Sequence, residues 1–294
     1  MKKQVSIAVF CNILFGFMPI YWTLLSHVDT GYVLGQRIFW SIPFTFVIVL
    51  LEKNLPQLKG AFKNRRTLLL TVLAGLTISC NWYIYMWAVT HSMVLETSMA
   101  YYMSPLVVFL LGLLAFHEKC TKWDILAVCF AAAGILISAL TLGVFPWLSI
   151  LLAVTFSVYG ALKKAAGLDP AVSLTIEMLT VLPIALIYLC CTSFGPEGHL
   201  AGLGVSTLLL LVGTGFISSF PLWLYSQGIR DLPFSLVGFL QFIWPTTSML
   251  LSVFYYKEEL SSGKLVCFIF IWIGLIIYMV SKLKKPVPAK EKSE

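Results

Sequence analysis

Ten apolar runs, each close to the ~20 residues that carry a helix across a bilayer, follow one another with little between them. They run near 5–25, 31–51, 67–89, 93–115, 123–141, 144–162, 170–191, 203–228, 233–256 and 264–282. Together they take up some two thirds of the 294 residues and leave only short connections. The expected fold class is therefore an all-α integral membrane protein of ten transmembrane helices. Charged residues make up 11% of the chain, against roughly 25% in soluble domains, too few to coat a water-soluble globule. The first run follows Lys2 and Lys3 as a signal peptide would, but its length, Asn12, Pro19 and the lack of an A-x-A site mark it as a retained helix.

A net charge of +7 would suit nucleic acid if the cations covered one surface, but they sit between the apolar runs. With the N-terminus inside, 17 of the 20 Lys and Arg fall in cytoplasmic segments, Lys163 and Lys164 among them. Lys257 and Lys264 fall outside, and Arg37 falls within a span. This bias places both termini in the cytoplasm of a cell that carries the protein in its plasma membrane, and it requires an even number of spans. Residues 285–294 form a basic tail, read as a disordered cytoplasmic end.

The chain also repeats itself. At a shift of 140 residues Pro43 falls on Pro183, Gly75 on Gly215, Ser79 on Ser219, Tyr85 on Tyr225, Pro105 on Pro245, Glu118 on Glu258 and Gly134 on Gly274. Five helices duplicated once give repeats over 1–142 and 143–284. Because five is odd, the second copy enters the membrane from the opposite side, so the architecture is a 5+5 inverted-topology repeat. Such halves can exchange conformations around a site near the midplane, which makes a transporter the leading reading.

No chemistry-bearing motif competes with it. The seven cysteines contain no C-x-x-C, the four histidines lack metal-ligand spacing, and no nucleotide-binding G-x-x-x-x-G-K-[ST] occurs. No catalytic residue, metal or cofactor is expected, and transport is driven by a gradient or runs downhill unless a separate ATPase subunit helps. Two rivals stay open: a membrane-embedded lipid enzyme, for which loops 52–66 and 192–202 offer no nucleophile, base or metal constellation, and a structural or assembly subunit.

Polar residues within the spans are costly and therefore informative. Arg37 lies about 9 Å deep at 1.5 Å per residue and needs a carboxylate or carbonyl partner. Glu96 enters the fourth span from the same side, and Glu177 stands in the seventh span where Arg37 stands in the second. A gate pair of Arg37 with Glu96, proton coupling through Glu177, and simple pinning of helices all remain open. Asn81 and Tyr85 share one helix face, Tyr101 and Pro105 another, and Gln241 and Pro245 repeat that spacing. A proline within a helix removes one backbone hydrogen bond and permits a kink, so Pro105 and Pro245 are candidate hinges. Asn81, Tyr85, Tyr101, Tyr225 and Gln241 are the candidate substrate-binding residues. An aromatic cluster at Trp82, Trp87, Tyr102, Phe156, Tyr159, Trp223, Tyr225 and Trp244 points to amphiphilic cargo.

Asn81-Trp82 through Trp87-Ala88-Val89, Leu95-Glu96-Thr97-Ser98, Tyr101-Tyr102 and Ser104-Pro105-Leu106 resemble the third and fourth spans of the RarD branch of the EamA group, in the drug/metabolite transporter superfamily. The resemblance extends to Gln36-Arg37, Trp40-Ser41, Glu177-Met178, Phe239-Gln241-Phe242 and Pro245, and so covers essentially the whole chain. It implies a ten-helix permease whose relatives are labelled chloramphenicol-resistance proteins or export amino acids and other small metabolites. The partners expected are a small-molecule substrate and the lipid bilayer, without nucleic acid. Export driven by the proton gradient and facilitated diffusion both stay open, as does the oligomeric state.

Overall fold

The computed structural model describes residues 2–90, 94–142, 147–193, 203–255, 257 and 262–284. Every regular element among them is an α-helix. In hydrocarbon a helix pairs each backbone polar group within its own segment, which is why apolar runs of this length settle into helices. In chain order these are α1 (Lys2–Leu24), α2 (Thr30–Leu51), α3 (Leu55–Lys63), α4 (Arg65–Thr90), α5 (Val94–Leu114) and α6 (Lys122–Leu142). Then follow α7 (Trp147–Ala166), α8 (Pro170–Ser193), α9 (Val205–Asp231), α10 (Phe234–Gln241), α11 (Ile243–Phe254) and α12 (Ser262–Lys284). Seven helical segments are long and apolar enough to cross a membrane. Leu140, Ile187, Leu209 and Ile276 are each more than 60% exposed, a pattern that suits a surface facing lipid and not water.

Two elements depart from the sequence reading. The connection expected over 52–66 contains α3, whose Leu58 and Ala61 are buried against Val49 of α2 and Ala171, Val172 and Ile176 of α8. The ninth run, expected as one helix, is broken at Phe242 into α10 and α11. Pro245 permits the break, since it has no N–H to offer the Gln241 carbonyl four residues back. The chain tightens there, and the Phe242 N–H turns to the Phe239 carbonyl at 3.3 Å. Pro105, at the matching place, lies inside an unbroken α5.

The starts of α2 and α8, and of α4 and α9, each differ by 140 residues, and α5 with α10 and α6 with α12 hold stretches matched at the same shift. Three of these pairs are also packing partners: α2 on α8, α5 on α10, and α6 on α12. Small residues let the backbones approach. A Cβ on Gly75 would stand 2.9 Å from the Glu177 carbonyl oxygen, and one on Gly215 would strike the Trp40 backbone. Gly31 and Gly35 receive Tyr188 and Leu189, and Gly274 lies against the Ala127 carbonyl. These small-residue stripes are thus used in packing the chain on itself.

Alternate crossings gather the connections on two faces. One face, the chain-end face, holds the start of α1, the end of α12 and the turns near residues 52, 118, 167 and 232, tied by Lys164, Glu118 and the start of α10. The opposite face holds the turn near residue 27, tied by Tyr188 to Asp29 at 3.1 Å and His27 to Thr207 at 3.2 Å.

Candidate substrate pocket

A cavity of about 170 Å³ opens among α1, α2, α4, α5, α7, α9, α10 and α11, in the half of the molecule away from the chain ends. Six of the residues expected from sequence meet in its wall: Arg37, Asn81, Tyr85, Tyr101, Pro105 and Gln241. The sequence reading missed the contribution of α1, whose Phe15, Met18, Pro19 and Trp22 complete one side, and it missed Ser104, Leu152, Leu222 and Ser248. Pro19 was the available signal, since a proline inside a span marks a helix that borders a cavity.

Asn81 is held by α7: its Nδ2 donates to the Leu152 carbonyl at 2.9 Å and to Thr155 Oγ1 at 2.8 Å. Tyr101 packs between Tyr85 at 6.3 Å and Trp244 at 4.4 Å, while Phe15 stacks on Trp244 at 4.8 Å. Of the aromatics singled out earlier, Trp82, Phe156 and Trp244 line the pocket. Tyr102 packs instead on Phe268, Trp223 on Phe220, and Trp87 is partly exposed at the periphery.

Arg37 is the pocket's charged group. Its guanidinium carbon lies 3.7 Å from the Trp82 ring centre and 5.4 Å from that of Trp22. Both contacts are in the range where a cation is attracted to an indole face. Among the described residues it forms no ion pair, and its buried Nε has no hydrogen-bond partner. Glu96 falls in the first turn of α5, and its side chain lies outside the described residues, so the expected gate pair with Arg37 does not enter the geometry.

The remaining site residues stand behind the pocket. Tyr225 is buried and accepts a hydrogen bond from Gln241 Nε2 at 2.8 Å, so it braces a wall residue without itself lining the wall. Pro245 lies in the first turn of α11, one turn beyond Gln241. Glu177 sits in a separate buried cluster. Its carboxylate receives Lys163 Nζ at 2.6 Å, the Ser173 hydroxyl at 2.6 Å and the Tyr159 hydroxyl at 3.0 Å. Lys163 is thus not a loop cation, as its place at the end of a run had indicated, but is 6% exposed and faces α8.

Nearer the chain ends comes a further tie. The Glu118 carboxylate accepts the backbone N–H groups of Phe234 at 2.5 Å and Ser235 at 2.8 Å, capping α10 at its positive end. Lys164 donates to the Leu232 carbonyl at 2.5 Å and stands 3.7 Å from Glu118. Among the described residues no cluster of His, Cys, Asp and Glu could hold a metal ion. Cys11 is buried and gives its thiol to the Pro221 carbonyl.

Known proteins match the chain along nearly its whole length. The family model described as the EamA-like transporter family matches residues 2–140 and again 145–280. The chain is 38% identical over 290 residues to "Uncharacterized transporter YojE" of Bacillus subtilis, covering 96% of this chain and 95% of that one. It is 30% identical over 282 residues to "Protein RarD" of Salmonella typhimurium, covering 96% of each. A Pseudomonas aeruginosa relative, 28% identical over 94% of this chain and 93% of its own, is named "Chloramphenicol-sensitive protein RarD", the reverse of the resistance label expected. A solved crystal structure shares the fold at a TM-score of 0.75 and 15% identity, covering 98% of this chain and 100% of the other. The chain belongs to the EamA-like transporter family, in the RarD branch of the drug/metabolite transporter superfamily, and is a multi-pass membrane transporter.

Proposed function

We propose that the chain is a secondary, ATP-independent transporter that exports small amphiphilic metabolites or drug-like compounds by alternating access. The observation that carries this reading is the pocket's asymmetry: it lies toward one face, while the polar ties of Glu177 with Lys163 and of Glu118 with α10 lie outside its wall. The chain-end face is the cation-rich one, so with both termini cytoplasmic the state described is closed to the cytoplasm. Ten spans in a 5+5 inverted repeat, with halves over 1–142 and 143–284 and a tail over 285–294, supply the opposite state by exchanging the two conformations. The recurrence of the α2 and α4 starts at 140 residues in α8 and α9, and the double match of the family model, support that duplication.

In this reading Asn81, Tyr85, Tyr101 and Gln241 contact the cargo and Tyr225 positions Gln241. Pro105 and Pro245 are hinges, because each frees the carbonyl of the wall residue four places before it, Tyr101 and Gln241. Arg37 marks the mouth of the site, with Glu96 entering from the same side, and Glu177 is the candidate for gating or proton coupling. The test is flux of labelled small metabolites through proteoliposomes with and without a proton gradient. Flux that collapses with the gradient supports coupled export, and flux indifferent to it makes the protein a facilitator. No flux from folded protein would turn the reading toward a structural or assembly subunit.

A further inference from the structure

We infer that the pocket selects an organic monoanion, a carboxylate carried on a ring-sized apolar body; this rests on the transport reading for where the ligand goes, but not for what binds. The wall is mostly aromatic and aliphatic, and its polar members Asn81, Tyr85, Tyr101, Ser104, Gln241 and Ser248 are neutral. Arg37 is therefore the one formal charge among the described lining residues.

How Arg37 is held specifies what it can bind. The donors of a guanidinium lie in its plane, and its two faces are apolar. Its guanidinium carbon stands over the Trp82 ring at 3.7 Å and over the Trp22 ring at 5.4 Å, contacts that hold the cation through the rings' π-faces and occupy no N–H donor. Among the described residues those donors meet no carboxylate, and Nε is buried without a partner. A guanidinium held against indole rings with its Nε buried and unpartnered is a fork open to a carboxylate, which accepts two parallel hydrogen bonds. A cationic ligand would add a second positive charge beside Arg37 in a low-dielectric site, and a neutral amide offers one acceptor oxygen without the charge. The cavity of about 170 Å³ sets the size. An apolar protein cavity of about 150 Å³ takes up benzene, so one aromatic ring with a small headgroup is the scale of ligand that fits.

Benzoate, benzamide and benzylamine share a ring and differ in headgroup charge, so they isolate the claim. Equilibrium titration of the purified full-length protein in detergent, followed by tryptophan fluorescence, should show benzoate binding at least about tenfold more tightly than either analogue. Arg37→Gln should abolish that preference, bringing benzoate to the level of benzamide, and Arg37→Lys should restore part of it. A thermal melt of each variant separates lost binding from lost folding. If Arg37→Gln does not fold, the ranking of the three probes on the unaltered protein still decides.

Equal binding of benzoate and benzamide, tighter binding of benzylamine, or binding of none of them would overturn the inference. The same probes in proteoliposomes keep the two claims apart. Benzoate that binds preferentially but never crosses sinks transport and leaves the charge preference. Benzamide or benzylamine that crosses as fast as benzoate sinks the charge preference and leaves transport.

Discussion

Lys163 Nζ meets Glu177 Oε1 at 2.6 Å, with both side chains withdrawn from solvent and no part in the pocket wall. Removing one member of a buried pair strands the other, at a cost of about 3–5 kcal/mol, whereas replacing both with apolar groups is often neutral. Lys163→Met or Glu177→Leu alone should therefore lower the melting temperature in detergent sharply, and the double variant should recover most of the loss. If the double variant also transports normally, the pair is a helix pin. Gradient-independent flux from that variant would instead assign coupling to Glu177.

Glu118 ties down the start of α10 by accepting two of its N–H groups. Glu118→Ala leaves both donors without their acceptor, a change of roughly 1–3 kcal/mol. The expected result is a population shift toward the opposite state. Ser235→Cys in the Glu118→Ala background should react at least about tenfold faster with a membrane-impermeant thiol reagent applied from the cytoplasmic side. Unchanged reactivity would show that Glu118 caps α10 without gating it.

Tyr225 supports the pocket through Gln241. Tyr225→Phe removes one hydrogen bond, worth about 0.5–1.5 kcal/mol net, and releases the Gln241 amide. Half-saturation for the transported solute should rise several-fold in Tyr225→Phe and in Gln241→Leu. The double variant should be no worse than Gln241→Leu, because the two residues act on the ligand through one contact.

Gly75 admits the Glu177 backbone, and a methyl group there would stand 2.9 Å from a carbonyl oxygen. Overfilling of this kind costs about 1–3 kcal/mol, so Gly75→Ala should lower the melting temperature. Gly60, whose missing Cβ would meet nothing within 4 Å, is the matched control: Gly60→Ala should leave the melt unchanged.

On the chain-end face Glu52 has its carboxyl pushed above the ordinary range, first by partial burial and then by the neighbouring Asp169 charge, with Asn54 and Arg230 acting in the opposite sense. A raised value in the folded protein means that the folded state holds the proton longer than the unfolded one. Stability from this group is present at low pH and lost as pH rises from the usual glutamate value, about 4.3, through the raised one. Glu52→Gln should flatten that part of the melting profile, and an unchanged slope would assign it elsewhere.

Much of this arrangement was legible in the chain. The apolar run expected from 170 begins at Pro170, and those expected from 31, 93, 123 and 233 begin within one residue at Thr30, Val94, Lys122 and Phe234. Bilayer thickness sets run length, and charge ends a run abruptly. Pocket residues were found where polarity or proline interrupts apolarity, as at Asn81, Tyr101 and Gln241. Phe15, Leu152 and Leu222 were invisible because an apolar residue facing a cavity reads the same as one facing lipid. Lys163 was misplaced for a related reason. It stands beside Lys164 at the end of a run, and only the turn into α8 brings Glu177 to it. Arg37 called for a carboxylate or carbonyl on electrostatic grounds, and the indole faces that meet it are set by packing between helices far apart in sequence.

The break at Phe242 sits in one member of the α5 and α10–α11 pair, and Tyr102, 140 residues earlier, lies within a continuous helix. Under the exchange proposed above, the interruption is a property of the state and not of the segment. When the pocket faces the other way, residues 234–254 should straighten into one rod and the fracture should reappear at Tyr102. The position of a single missing helical turn would then act as the protein's own pointer to the side on which it is open.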